Sequence, residues 1–314
     1  MDPKISERIK LLKPTLSDSS LKLYLSKLKK FATSKGKMPV KTFNNFDDII
    51  EKVNGMSSNV STKKSILTAI VIFLQSAVKP NHKLINRYKE PMVGYMKQEG
   101  TESFKQEKND KQQKNWVSMD EFTEIINKMQ SEIKKEGLLV QSELSNKEYT
   151  QLQHYIIMRL FHEFPFRNDV ASLNIVKTKE NMDNTKNYLV TGKEYTIVLN
   201  NYKTSKKYGS KEYVLKPELK KLIKKLLKHQ DCGYLLCNTN RKGRMTRNNL
   251  TQTLQKIFMK HTGKNVSSSM LRHVQASELN KDKPTLQEMK KEDEEVQNKF
   301  LHNTTTNLLY TKKE

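Results

Sequence analysis

Apolar side chains recur at helical spacing along the N-terminal third of the chain. A first amphipathic helix is predicted over 17–35. Its apolar residues are Leu21, Tyr24, Leu25, Leu28 and Phe31. The same spacing predicts further helices over 46–53, 61–78 and 84–96. Residues 1–97 are therefore expected to form a small all-helical domain that holds a partner and has no chemistry of its own.

The periodicity is lost over 98–115, where the sequence QEGTESFKQEKNDKQQKN is polar and highly charged. Such a composition cannot bury a core, so an interdomain linker is predicted. An exposed extension of the preceding helix is the alternative, because glutamine and lysine are good helix formers.

A second pattern begins at Trp116. Ser118 and Glu121 form a capping box ahead of an amphipathic helix, and another helix, over 147–162, ends before Pro165. The runs NYLV, YTIVL and KEYVL then predict a small antiparallel sheet, and helices follow it. The expected fold is mainly α with a small antiparallel β-sheet. The expected domains are a helical one at 1–97, a linker at 98–115 and an α+β one at 116–314.

The charge balance is strongly basic. The 314 residues include 58 Lys and Arg against 34 Asp and Glu, a net charge of +24, and the basic residues lie along the whole length. A polyanionic partner such as nucleic acid is the natural interpretation. A solvated basic surface without such a partner is the alternative.

Several classes of protein are disfavoured. The chain has no apolar run long enough for a membrane span, and its start lacks the apolar region of a signal peptide. Two cysteines, Cys232 and Cys237, cannot build a disulfide framework, and we expect ordinary cysteines in a reducing, intracellular compartment. With His229 they match no four-ligand zinc spacing, so no metal or other cofactor is expected.

Several polar side chains fall at the ends of predicted elements, where functional groups are commonly found. Arg167 follows the helix that Pro165 ends, and Lys203 lies at the tip of a predicted hairpin. Ser269 is placed in the first turn of a helix, where free backbone N–H groups attract anions, with Arg272 one turn further on the same face. Further candidates are His273, His302 and Tyr310.

Together these side chains suit phosphodiester chemistry. Two arginines match phosphate oxygens bidentately and stay charged. A tyrosine can attack phosphorus to form a phosphotyrosyl intermediate, and Lys203 could protonate the departing 5′-oxygen. No metal is required for this route. Taken singly, each residue has an ordinary structural role, since helix arginines commonly form surface ion pairs and a terminal tyrosine commonly covers apolar surface.

The motifs around these residues resemble a known family. In order, FPFRNDVASLNI, NYKTSKKYG, SSSMLRHVQAS and FLHNTTTNLLY are similar to the four signature regions of the tyrosine recombinase (phage-integrase) family, over residues from about 116 to 310. The sequences of the arginine and lysine regions also resemble those of integrases of large DNA viruses and their mobile elements. The resemblance implies catalytic roles for Arg167, Lys203, Arg272, His302 and Tyr310, with Tyr310 as the nucleophile. Residues 1–97 would correspond to the family's core-binding domain.

The sequence departs from the family pattern in three places. Ser269 stands where the family has the first histidine of His-x-x-Arg, so only a hydrogen-bonding role is expected there. Asp169 lies two residues after Arg167, whereas the family's acid is usually three after. From His302 to Tyr310 is eight residues (310 − 302), one fewer than usual.

The resemblance implies a site-specific recombinase or integrase that cleaves and rejoins double-stranded DNA without metal or ATP. A homotetramer on DNA and a monomer or weak oligomer when free are its implied states, in the host cytoplasm or nucleus if the source is viral. A type IB topoisomerase or telomere resolvase is the alternative with the same chemistry. A catalytically inactive DNA-binding protein of the same fold is the alternative from another class.

Overall fold

The computed structural model of the chain describes residues 3–33 and 38–300. These residues form two compact units. The first is built from the described residues up to Glu107 together with those from Pro284 onward, and the second spans Lys108–Lys283.

In chain order the α-helices are α1 Pro3–Leu12, α2 Asp18–Leu28, α3 Phe46–Met56, α4 Val60–Gln75, α5 His82–Phe104, α6 Asp110–Asn115, α7 Met119–Lys135, α8 Asn146–Glu163, α9 Ser205–Tyr208, α10 Pro217–Leu227, α11 Arg247–Thr262, α12 Ser268–Leu279 and α13 Leu286–Phe300. The strands are β1 Asn174–Val176, β2 Asn187–Thr191, β3 Tyr195–Leu199 and β4 Lys211–Val214. Short 3-10 helices cover Lys29–Phe31, Val40–Phe43, Asn168–Ser172 and Lys179–Asn181. The predicted mainly helical fold with a small sheet is confirmed.

Helix α4 lies at the centre of the first unit. Its buried residues are Ile66, Leu67, Ala69, Ile70, Val71, Ile72, Phe73 and Leu74. Because these face nearly every direction around the axis, the helix needs neighbours on most sides, and α1, α2, α3 and α5 pack against it. Buried Tyr88 of α5 closes the core from another side, donating its hydroxyl to the Phe43 carbonyl at 2.8 Å.

The polar segment predicted to be a linker is helical over much of its length. Helix α5 continues through it to Phe104. Helix α6 then begins with a capping box, in which the Asn109 and Gln112 side chains each accept the other's backbone N–H at 3.0 Å. The alternative of a helix extension therefore describes residues 98–104, because glutamine, glutamate and lysine favour helix even without a buried face.

Helix α13 belongs to the first unit, whereas the predicted domain 116–314 included it. It begins at a capping box formed by Thr285 and Glu288, with the Thr285 N–H donating to Glu288 at 2.6 Å. The Leu286 N–H donates to the Gln106 side chain at 2.7 Å, which ties the start of α13 to residues that follow α5.

The second unit has its core between its helices and one face of the sheet. Helix α7 begins at the predicted capping box, where the Ser118 N–H donates to Glu121 at 2.8 Å. Helix α8 is buried along most of its length and packs against α7, α10 and α11. Gly263 ends α11 with φ of +69°, a left-handed conformation that glycine adopts without strain.

The sheet has the order β1-β2-β3-β4 and is mixed, whereas a small antiparallel sheet was predicted. Strands β2, β3 and β4 pair antiparallel as predicted, but β1 pairs parallel to β2, with Asn174 opposite Tyr188. Strand β1 is only three residues long, too short for an alternating pattern of its own, and only Leu173 separates it from the 3-10 helix at Asn168–Ser172. The connection through Lys179–Asn181 returns the chain to run alongside it.

Cys232 and Cys237 form a disulfide, with their Cα atoms 6.3 Å apart. The expectation of two ordinary cysteines is corrected, because the turn at Gly233 folds the two positions onto each other. The expected reducing compartment loses its support from free thiols and stays a prediction. Within the part of the chain that the structure describes, no helix is both long enough and apolar enough to cross a membrane.

Candidate phosphate-binding site

Arg167 lies in the extended segment that follows α8. Phe164 leaves the helix with extended backbone angles, and Arg167 immediately precedes the 3-10 helix at Asn168–Ser172. Between them, the ring of buried Phe166 stacks on Phe164 at 5.0 Å and meets Tyr213 of β4 edge-on at 5.0 Å. These ring contacts fix the backbone at Arg167, whose side chain is half-buried.

Asp169 is buried, with 7% of its surface exposed, and its carboxylate Oδ1 accepts a hydrogen bond from Arg247 Nη2 at 2.7 Å. Arg247 is the first residue of α11. The neighbouring Asn168 amide reinforces this junction, donating to the Arg247 carbonyl at 3.1 Å and to the Thr251 hydroxyl at 2.6 Å. The segment that carries Arg167 is therefore attached to the start of α11.

Arg272 approaches the same segment from α12. Its Nε donates to the Pro165 carbonyl at 3.0 Å. One turn further along, the Gln275 amide donates to the Phe161 and His162 carbonyls at 2.9 and 3.1 Å. Those carbonyls are at the C-terminal end of α8 and lack helical partners there. Arg272 and Gln275 thus hold α12 against the end of α8 that precedes Arg167.

Arg167, Arg247 and Arg272 all interact electrostatically with the Asp169 carboxylate, so the four side chains form one cluster. Burial lowers the pKa of Arg272, and repulsion from the Arg167 guanidinium lowers it further, while Asp169 opposes the change. Burial raises the pKa of the Asp169 carboxyl, against the attraction of Arg247, Arg167 and Arg272. Three guanidinium charges and one carboxylate charge leave a local net charge of +2 (3 − 1).

The two arginines predicted from sequence keep donors free for a ligand. Within the described residues, the Arg167 side chain has no hydrogen-bond partner, and Arg272 uses only its Nε. A guanidinium presents five N–H donors in a planar fork that matches phosphate oxygens. The cluster can therefore offer a phosphate group charge-assisted hydrogen bonds from both arginines.

Ser269 and His273 are both exposed on α12. Ser267 caps this helix, since the Met270 N–H donates to the Ser267 hydroxyl at 3.3 Å. Ser269 lies in the first turn, one turn before Arg272, where its hydroxyl can donate a hydrogen bond to an anion. His273 follows Arg272 directly and so points to a different side of the helix.

Lys203 is exposed in the turn between β3 and α9. Buried Asn187 anchors the start of this turn, because its Oδ1 accepts the N–H groups of Asn200 and Asn201 at 3.0 and 2.8 Å. The amide of Asn187 also donates to the Asp169 carbonyl at 3.3 Å. The turn is therefore tethered to the arginine cluster through its backbone, but the charges that act on Asp169 and Arg272 do not include Lys203.

His302 and Tyr310 lie outside the described residues. Their roles as the second histidine position and the nucleophile stay predictions. Arg247, by contrast, is a member of the cluster that the sequence motifs missed. Its one signal was a basic residue at the first position of a helix whose first turn contains no acidic residue. A cation is disfavoured there by the helix dipole, which indicates an anionic partner.

Metal chemistry has no candidate ligand set in this region. Among the residues that the structure describes, no three His, Cys, Asp or Glu side chains lie together in a way that could hold an ion. The cationic groups of the cluster would instead supply the positive charge that phosphate requires.

Comparison with known proteins gives no family assignment. No protein-family model matches the chain, and no curated protein matches its sequence.

Proposed function

We propose that the chain is a site-specific DNA recombinase or integrase that cleaves and rejoins duplex DNA through a 3′-phosphotyrosyl intermediate at Tyr310. The observation that carries the proposal is the junction at which Arg167 and Arg272 share the field of one buried carboxylate, Asp169. The two arginines come from motifs far apart in sequence, and both resemble arginine regions of the tyrosine recombinase family.

A phosphodiester carries one negative charge, and its pentacoordinate transition state carries more. Donors that are fixed beforehand strengthen their contacts as that charge develops, which is the condition for lowering a barrier. Arg167 is held by the packing of Phe166, and Arg272 by its bond to the Pro165 carbonyl. The Arg272 guanidinium and the backbone at Arg167 are thus held in place before a ligand arrives.

The proposed reaction starts with attack of the Tyr310 oxygen on phosphorus, with loss of the tyrosine proton to solvent water. A bond from phosphorus to the tyrosine oxygen forms, the bond to the 5′-oxygen breaks, and Lys203 gives the 5′-oxygen a proton. His302 and Ser269 donate hydrogen bonds to the non-bridging oxygens. Attack by the 5′-hydroxyl of another strand reverses the steps, so the rejoining requires no ATP.

Duplex DNA is the partner that the charge favours. The net charge of +24 is distributed over both units, and the short acidic run at 292–295 offsets only a small part of the positive charge. In this proposal the helical first unit grips DNA and the second unit performs the chemistry. Strand exchange between two sites then requires four protomers on DNA, whereas the free protein is a monomer or weak oligomer.

The experiment is a search for a covalent adduct with nicked duplexes that lose the 5′-end after cleavage and so trap the intermediate. A pool of such duplexes with randomised sequence removes the need to know the target site. Wild-type protein should give an SDS-resistant adduct that Tyr310→Phe abolishes. An adduct of equal yield from Tyr310→Phe, or none from wild type across the pool, would remove the catalytic assignment.

Ser269 specifically favours one alternative, a DNA-binding protein of the same fold that no longer cuts. Its side chain stands at the position of the family's first histidine, and serine is a poor proton carrier. That alternative predicts duplex binding with no adduct. A type IB topoisomerase or telomere resolvase would instead form the adduct and reseal the same strands, which supercoil relaxation without exchange between two DNA molecules would reveal.

A further inference from the structure

Arg247 has the properties of a ligand-binding group rather than of a purely structural one. One edge of its guanidinium is fixed by Nη2 donating to Asp169 Oδ1 at 2.7 Å, yet 65% of its side chain is exposed. Within the described residues it forms no other side-chain hydrogen bond. Its remaining N–H donors therefore face solvent from a group that is already held in place.

The position of Arg247 is not explained by helix stability. It is the first residue of α11, where the free N–H groups of the backbone repel a cation. Thr246 caps the helix by accepting the Asn249 N–H at 3.1 Å, so Arg247 is not needed as a cap. Asp169 offsets the repulsion, but a neutral residue at this position would have avoided it.

The charge of the cluster exceeds what its own carboxylate neutralises. Asp169 faces Arg247 from α11, Arg167 from its own segment and Arg272 from α12. The side chain that β2 contributes nearby, Asn187, is uncharged. Two of the three positive charges are thus left for a ligand, and Arg247 is the most exposed of the three arginines.

We propose that Arg247 is a third phosphate ligand of this site, contacting a DNA phosphate beside the one held by Arg167 and Arg272, with Asp169 as its positioning residue. The proposal rests on the proposed function only in taking duplex DNA as the ligand. It makes the phosphate site extend from the reacting group to the start of α11. A cleaved phosphodiester and its neighbour on the same strand would then be held by one rigid cluster.

The test is the salt dependence of duplex binding, measured by fluorescence anisotropy with a short labelled duplex. Each phosphate neutralised by the protein contributes about 0.9 to the slope of the logarithm of the association constant against the logarithm of the salt concentration. Arg247→Gln should therefore reduce the slope by about 0.9. Arg247→Lys should keep the wild-type slope, because the charge remains, while binding more weakly because the ammonium cannot reproduce the fork.

Arg244→Gln is the matched control. Arg244 is exposed three residues before Arg247, outside α11, and its side chain has no hydrogen bond or ion pair to any described residue. It should leave the slope unchanged. An equal loss of slope in Arg244→Gln, or an unchanged slope in Arg247→Gln, would overturn the proposal. Thermal unfolding of each variant excludes a change in folded fraction as the cause.

The salt-dependence test of Arg247 and the adduct experiment can fail independently of each other. Adduct formation with an unchanged slope in Arg247→Gln would refute the role of Arg247 while the proposed function stands. The predicted loss of slope without any adduct from wild type would establish Arg247 as a DNA ligand and refute the cleavage chemistry.

Discussion

Phe166→Leu should separate the stability of the second unit from the placement of Arg167. The wild-type ring stacks on Phe164 at 5.0 Å and meets Tyr213 edge-on at 5.0 Å, and only 3% of Phe166 is exposed. An aromatic pair contributes about 0.5–1.5 kcal/mol beyond its buried area, so losing two pairs costs about 1–3 kcal/mol. Leucine keeps most of the volume, which limits the cavity left behind.

Phe122→Leu is the matched control because it also removes two ring contacts. Phe122 is fully buried and meets His162 at 5.1 Å and Phe258 at 5.3 Å, so its ring contacts lie in the same unit but do not involve Phe164, Phe166 or Tyr213. Urea unfolding followed by Trp116, the single tryptophan, reports on this unit, since that side chain packs against its core. Both variants should lower the free energy of unfolding by about 1–3 kcal/mol.

DNA binding should distinguish the two variants. A hydrogen bond to a charged group contributes about 1.5–3 kcal/mol, so a misplaced Arg167 should weaken duplex binding about tenfold or more in Phe166→Leu. Phe122→Leu should bind as wild type does under conditions in which both are folded. Equal weakening in both variants, or none in Phe166→Leu, would refute the claim that the ring contacts position Arg167.

Two further predictions concern single side chains. Burial, with a smaller contribution from Lys256 and Lys260, lowers the pKa of His154 from 6.5 to about 4, so the unfolded chain binds a proton that the folded one does not. Stability should therefore fall as pH falls from 6.5 to about 4, by at most about 3 kcal/mol, and urea unfolding of His154→Gln should show a flatter profile across that window. Under the proposed function, Lys203→Ala should slow adduct formation by about 10²–10⁴-fold with an ordinary substrate, but not with a 5′-bridging sulfur, which leaves without a proton. Lys206→Ala should behave as wild type with both substrates, and a lack of rescue by sulfur would contradict the acid role.

The elements with strong local signals were predictable. Capping boxes at Ser118 and Thr285 specify where α7 and α13 begin, because the side chains and backbone that form them are neighbours in sequence. Strand β1 was not predictable, since three residues carry no period and its pairing with β2 depends on a non-local register. The disulfide likewise depends on the turn at Gly233, which spacing alone does not specify.

Some residues of the candidate site could likewise be predicted from the sequence and others could not. Arg167 and Arg272 could be found from motif order, and the structure brings both to one carboxylate. Arg247 could not be found, because its partner Asp169 lies far away in sequence and the contact exists only after α11 packs on the segment after α8. When side chains meet only through tertiary packing, the sequence contains at most one local sign of the contact, a residue that is unfavourable where it stands. Here that sign is a cation at the start of a helix.

The unfavourable position of Arg247 at the start of α11 has a physical explanation if the ligand is a phosphodiester. The buried Asp169 carboxylate attracts all three guanidinium groups and bonds directly to Arg247, which reduces the repulsion among them. In the proposed arrangement Arg167 and Arg272 face the reacting phosphate, whose negative charge grows in the transition state, and Arg247 faces its neighbour. Donors fixed at the reacting group bind the transition state more tightly than the ground state, which is the requirement for catalysis by charge stabilisation. Neutralising Arg247 would remove the contact that positions the neighbouring phosphate, and with it the reacting one. The rate of adduct formation in Arg247→Gln should therefore fall even when the DNA concentration is raised until all of the protein is bound.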